Sequence, residues 1–162
     1  MKQNELLKEM IAYYRGDPKR IQHFLKVYQF AKMIGEEEGL KEDTQYILET
    51  AAIVHDIGIK PAEEKYGNCN GELQEQEGPA EAEKLLGMLG YEPEVIDRVS
   101  FLVGHHHTYQ NVDGIDYRIL LEADFLVNLY EDGLKSEAVR KAYDTIFRTR
   151  TGKELCRVMF DL

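Results

Sequence analysis

The sequence predicts an all-α domain, and three observations carry the prediction. Apolar residues recur at helical spacing through most of the 162 residues, β-branched runs with strand alternation are nearly absent, and capping residues and terminators mark helix ends. About seven helices follow, packed as one compact bundle over 1–162, with a core from about 20 to 130 and the helices of 136–160 packing on it.

The first helix covers 4–14 and stops at Arg15-Gly16. Asp17-Pro18 supplies an N-cap followed by proline at the first helical position, and the second helix runs to about Glu38. Val27, Phe30, Ala31 and Ile34 mark its apolar face; His23, four residues before Val27, points inward along the edge of that face. After Gly39, a third helix from about Asp43 to Ile57 buries Ile47, Leu48, Ala51 and Ala52, carries His55-Asp56 in its last turn, and has Gly58 as terminator. Residues 59–73, with Pro61, Gly67, Asn68, Asn70 and Gly71, read as a mobile covering loop. A fourth helix spans Gln74 to Leu89. Pro93 opens a fifth that buries Val95, Ile96, Val99, Leu102 and Val103, reaches Gly104 and delivers His105, His106 and His107. Past a loop containing Asp113-Gly114, DYRILLEADFLVNLYEDG forms a sixth helix in which Leu120, Leu121, Asp124, Val127 and Asn128 share neighbouring turns. Ser136 caps a seventh through about Phe147, and Gly152 separates a short C-terminal piece.

The formal charge of −10 repels a polyanion, which argues against a nucleic-acid polymer as partner. No apolar run approaches the roughly 20 residues that cross a bilayer. Cys69 and Cys156 form no CxxC and the N-terminus has no charged-then-apolar leader, so a cytoplasmic protein is expected. The mixed, charged exposed faces are equally compatible with a monomer and a homodimer.

His23, His55, Asp56 and Asp124 are all competent metal donors. Two neutral imidazoles and two carboxylates suit one divalent first-row ion, and each sits among apolar residues where a lone charge would cost several kcal/mol. Duller readings stand beside this one. A single inward His is more often a satisfied core residue, a His at a helix C-terminus is favoured by the macrodipole, and a His run can be a solvated helix end. Asp124, mid-helix among apolar residues, needs a cation or several donors. Oxygen-rich ligation without sulfur points to Mn, Fe, Co, Ni or Mg more than to structural zinc.

The ordered set His23, His55-Asp56 and Asp124, with LLEADFLVN around the last, resembles the HD superfamily of metal-dependent phosphohydrolases over roughly 20–130. The resemblance implies an HD-domain-like helical bundle, those four residues as metal ligands, and hydrolysis of a small phosphorylated metabolite, with a nucleotide as the favoured class. EGPAEAEKLLGMLGY with VGHHHTY is similar to the stretch where dinuclear members place two further histidines, although Glu77 stands where the first would fall. This implies an optional second metal held by Glu77, His105 and His106, with Glu77 equally open as a general base or as a solvated helix-start acid favoured by the dipole. The resemblance gives catalytic roles to Asp56, to Lys60 as a phosphate-steadying ammonium and to His106 as a proton acceptor; a solvated surface lysine is the alternative for Lys60, and Asp124 is an alternative acceptor. The loops 59–73 and 107–116, with Tyr66, Tyr109 and Asn111, are expected to shape the pocket. Two other classes remain open: an HD-type di-iron oxygenase, which needs the second metal, and a sensing domain that keeps its metal without turnover.

Overall fold

The computed structural model describes residues 2–162, and within them the chain is all-helical. The nine helices among the described residues are α1 (Lys2–Tyr13), α2 (Pro18–Glu37), α3 (Glu42–Val54), α4 (Ile59–Tyr66), α5 (Gly71–Met88), α6 (Pro93–Val103), α7 (Ile115–Glu131), α8 (Ser136–Thr145) and α9 (Arg150–Phe160). Two of these exceed the predicted seven, and each has a local cause. α4 occupies the first half of the expected 59–73 loop: Ile59, Pro61 and Ala62 are buried, which gives a short segment with little apolar content enough to pack, and Gly67 closes it in the left-handed conformation at φ 64°. Asn70 then accepts from the Leu73 amide at 2.9 Å and starts α5 three residues earlier than predicted.

At the C-terminus Gly152 does not separate elements. It lies in the first turn of α9, where its amide donates to the capping Thr149 hydroxyl at 2.9 Å. Ser136 is the first residue of α8, not its side-chain cap. Asp17 does cap α2 through the Arg20 amide, with Pro18 opening the helix.

α7 is the axis of the bundle. Its buried residues run around the helix, from Ile119, Leu120 and Leu121 to Leu126 and Val127, because α2, α3 and α9 all pack on it. α3 is similarly enclosed, with Leu48 and the run Ala51 to Val54 buried under α1, α2, α6 and α7. A site built at the meeting point of α2, α3 and α7 therefore rests on rigid, mutually packed elements.

α3 ends at Val54, three residues short of the expected Ile57, and Gly58 is not its terminator: it is the N-cap of α4, with φ −74° and no left-handed backbone. The need for glycine is steric. A Cβ there would lie 2.5 Å from the Gln74 carbonyl oxygen and 2.8 Å from the Gly78 amide nitrogen, so only a residue with no side chain lets α5 approach the turn that follows His55-Asp56.

Glu122 holds the C-terminal helices in place. It is fully buried on α7 and its carboxylate accepts from the Arg148 amide at 2.7 Å, the Thr149 amide at 3.0 Å and the Thr149 hydroxyl at 2.5 Å, just before α9. Burial pushes its carboxyl up from the usual range, against those hydrogen bonds. Glu122→Ala strands the buried Thr149 amide and the half-buried Arg148 amide and is expected to destabilise the fold by about 3 kcal/mol in urea unfolding; a loss under about 1 kcal/mol would show that α9 docks without it.

Candidate metal centre

Three elements deliver the site. His23 comes from the first half of α2, His55 and Asp56 from the turn after α3, and Asp124 from the middle of α7. His23 Nε2 lies 3.2 Å from His55 Nε2, from an Asp56 oxygen and from an Asp124 oxygen, and His55 Nε2 lies 3.3 and 3.4 Å from the same two oxygens. His23, His55 and Asp56 form a trio whose ligand atoms all lie within 4.8 Å of one another, and Asp124 joins it through both imidazoles.

The tautomers are set from behind. His55 Nδ1 donates to the Ala52 carbonyl at 2.7 Å, and His106 Nδ1 to the Val103 carbonyl at 2.8 Å. His23 Nδ1 meets Glu131 Oε1 at 2.7 Å. With the proton on Nδ1 in each neutral ring, every Nε2 faces the others as a bare lone pair. Lone pairs facing each other at 3.2 Å repel unless a proton or cation stands between them. His106 Nε2 is buried without a hydrogen-bond partner, and Asp56 Oδ1 at 3.3 Å does not meet it in hydrogen-bonding geometry.

A divalent ion fits these observations. Metal–ligand distances of about 2.1 Å place neighbouring donors on one ion roughly 3.0–3.4 Å apart, which is the spacing seen here. The protonation equilibria agree. Burial disfavours the charged form of His23 and His55, but hydrogen bonding and attraction to Asp56 and Asp124 outweigh it and lift the two imidazoles to about 11 and about 10. Burial would raise both carboxyls, and the imidazoles facing them instead hold both below the usual carboxylate range. In the metal-free protein protons neutralise the carboxylates.

A second trio shares Asp56. It consists of Asp56, His106 and His107. His107 Nε2 meets the Gln74 side-chain oxygen at 2.8 Å, and the Gln74 amide nitrogen donates to the Cys69 carbonyl at 2.7 Å. That orientation of Gln74 makes His107 Nε2 the proton donor and leaves Nδ1 bare. Burial and the neighbouring His106 lower the His107 pKa to about 4, which keeps the ring neutral at pH 7.

Three predicted site residues lie elsewhere. Glu77 is paired with Lys65 at 2.5 Å and accepts from the Tyr66 hydroxyl, so its carboxylate is spent joining α5 to α4. His105 stacks on Phe101 at 4.0 Å between ring centroids and bonds the Phe101 carbonyl, leaving His107 as the member of the His run that accompanies His106. The Lys60 ammonium donates to the Tyr13 carbonyl at 3.2 Å and sits over the Tyr13 ring, so it is directed to α1. Lys19 and Arg20 are the cations at the site instead. They line a cavity of about 280 Å³ over the site together with His23, Asp56, Gln74, His107, Asp124 and Asn128. The sequence carried a signal for Arg20, which precedes His23 by three residues and shares its helix face.

Tyr14 braces the site from α1, donating to the Asp56 carbonyl at 2.6 Å, while Tyr13 donates to the Ile57 carbonyl at 3.0 Å. No sequence pattern tied α1 to this turn.

An all-helical bundle with an H…HD…D donor set at its packing centre defines the class of protein. The HD domain model matches residues 20–140, and the chain belongs to the HD domain family. No curated protein matches. Two solved structures share the fold. One, a predicted HD superfamily hydrolase from an uncultured Thermotogales bacterium, is 23% identical with TM-score 0.69 and covers 98% of this chain and 84% of its own. The other, YpgQ of Bacillus subtilis, is 18% identical with TM-score 0.68 and covers 99% and 89%. Among the described residues no helix is long and apolar enough to cross a membrane.

Because both imidazoles of the first trio are protonated or share a proton at neutral pH, loading a divalent ion must expel at least one proton. Calorimetric titration of Mn²⁺ at pH 7 in buffers of different ionisation enthalpy is expected to report the release of one or more protons per ion; no buffer dependence would contradict this reading of the site.

Proposed function

We propose that the protein is a metal-dependent phosphohydrolase, a phosphomonoesterase or phosphodiesterase acting on a small phosphorylated metabolite, with a nucleotide as the favoured class. The observation that carries the reading is the gathering of His23, His55, Asp56 and Asp124 donor atoms at the floor of a cavity whose rim holds Lys19 and Arg20. Anionic donors at the floor and cations at the rim suit a substrate with a phosphate that spans both. The HD hydrolase description of the Thermotogales neighbour agrees with it.

When bound, a divalent cation held by the four residues supplies Lewis acidity and lowers the pKa of water there; Mn, Fe, Co, Ni and Mg all suit the donors. The remaining work falls to the chain. Arg20, held by Glu63 at 2.8 and 3.0 Å, and Lys19 attract and orient the phosphate. Water oxygen forms the new bond to phosphorus, the P–O bond breaks with its electron pair going to the leaving oxygen, which takes a proton from solvent, and the proton leaving the attacking water passes to His106 Nε2, whose lone pair is free. Asp56 turns one oxygen to His23 and His55 and the other to His106, which joins ion binding to proton transfer. The trio of Asp56, His106 and His107 favours a second reading with two metals, in which His106 is a ligand.

Phosphate release from a nucleotide panel, with Mn²⁺, Co²⁺, Ni²⁺ or Mg²⁺ added, tests the proposal. Activity is expected to fall by about 100-fold or more in Asp56→Ala. In Arg20→Ala, KM should rise more than kcat falls, whereas Lys60→Ala should stay within a few-fold of wild type. Oxygen consumption with two irons per chain and no phosphate release would overturn it.

A further inference from the structure

His23 differs from the other imidazoles of the site in how its ring is held. His55 and His106 sit at the C-terminal ends of α3 and α6, where the carbonyl three residues back has no helical partner, so each ring donates to it: Ala52 for His55, Val103 for His106. His23 is the sixth residue of a 20-residue helix, and the carbonyls behind it are committed to the helix. Its Nδ1 needs an acceptor from another element.

Glu131, in the last turn of α7, provides one. Its side chain is 14% exposed; Oε1 lies 2.7 Å from His23 Nδ1, and Oε2 lies 2.6 Å from the Lys26 ammonium, three residues beyond His23 on α2. The two oxygens thus clamp α2 to α7 at two points. The carboxylate fixes the ring angle, keeps the proton on Nδ1 and makes Nε2 more electron-rich, as carboxylate partners do for metal-bound imidazoles. Lys26 holds the carboxylate in place and offsets its charge.

We propose that Glu131, steadied by Lys26, is a positioning residue that sets the orientation and donor strength of His23 toward the ion. The assignment rests on His23 being a metal ligand, and it makes Glu131 a charged group outside the donor set on which ion retention depends.

Mn²⁺ affinity and chelator-driven release measured on the full chain test it, alongside the nitrogen-15 NMR spectrum of the diamagnetic Mg²⁺- or Zn²⁺-loaded protein. Glu131→Ala is expected to weaken Mn²⁺ binding roughly 10- to 100-fold and to remove the slowly exchanging His23 Nδ1 proton signal, with the His55 signal retained. Glu131→Gln, which keeps an acceptor oxygen but not the charge, should restore the proton signal and only part of the affinity. Lys26→Met should change affinity by a few-fold at most. If His23→Ala binds Mn²⁺ as wild type does, the ligand assignment fails and this inference with it. If His23→Ala loses the ion while Glu131→Ala, folded by circular dichroism, retains wild-type affinity and the Nδ1 signal, only the role of Glu131 is overturned.

Discussion

The structure turns on one electrostatic constraint: two carboxylates and three imidazoles converge, largely buried, at and beneath the floor of one cavity. His55 is fully buried, His106 is 1% exposed and Asp124 is 5% exposed. Ionised carboxylates so placed are tolerable only with positive charge between them, because the hydration they lose costs several kcal/mol each. Protons on His23 and His55 serve in the metal-free protein and a divalent ion serves better, since one ion satisfies the His23 and His55 Nε2 lone pairs and both acids together. Proton affinity and metal affinity at this site are two expressions of the same charge imbalance.

Around that constraint the fold supplies direction. α3 and α6 end where they do so that their orphan carbonyls orient His55 and His106, and α7 runs through the middle of the bundle so that Asp124 reaches the same point from the opposite element. The close approach of α5 to Gly58 brings Gln74 and His107 to the rim, and Tyr14 secures the Asp56 carbonyl from α1. Glu122 and Asp124, two residues apart on α7, divide their work. The first is satisfied by backbone amides and holds α9, while the second is left with imidazoles and the single amide of Asn128.

Local signals were legible in the sequence: helix periods, the Asp17-Pro18 start, and an acidic residue inside an apolar helix at Asp124. α4 was missed because it is eight residues long and draws its stability from packing, not from its own pattern. Glu77, His105 and Lys60 show the limit of reasoning by position along the chain. Each is within a few residues of the site in sequence, yet Lys65, Phe101 and Tyr13 compete for their side chains, and such partners become visible only once helices are packed. Arg20 and Glu131 were missed for the converse reason. For Arg20 the face shared with His23 is the one local signal; the contacts that hold Arg20 and Glu131, to Glu63 and His23, span 43 and 108 residues.

The central claim is that one buried point, shared by α2, α3 and α7, binds a divalent ion through four side chains. Metal content per chain, by elemental analysis of protein equilibrated with Mn²⁺ and desalted, tests it most directly. Wild type should hold at least one ion per chain, and Asp124→Asn, with its helical content intact, should lose it. Full occupancy in Asp124→Asn, or an empty wild-type protein, would contradict the account.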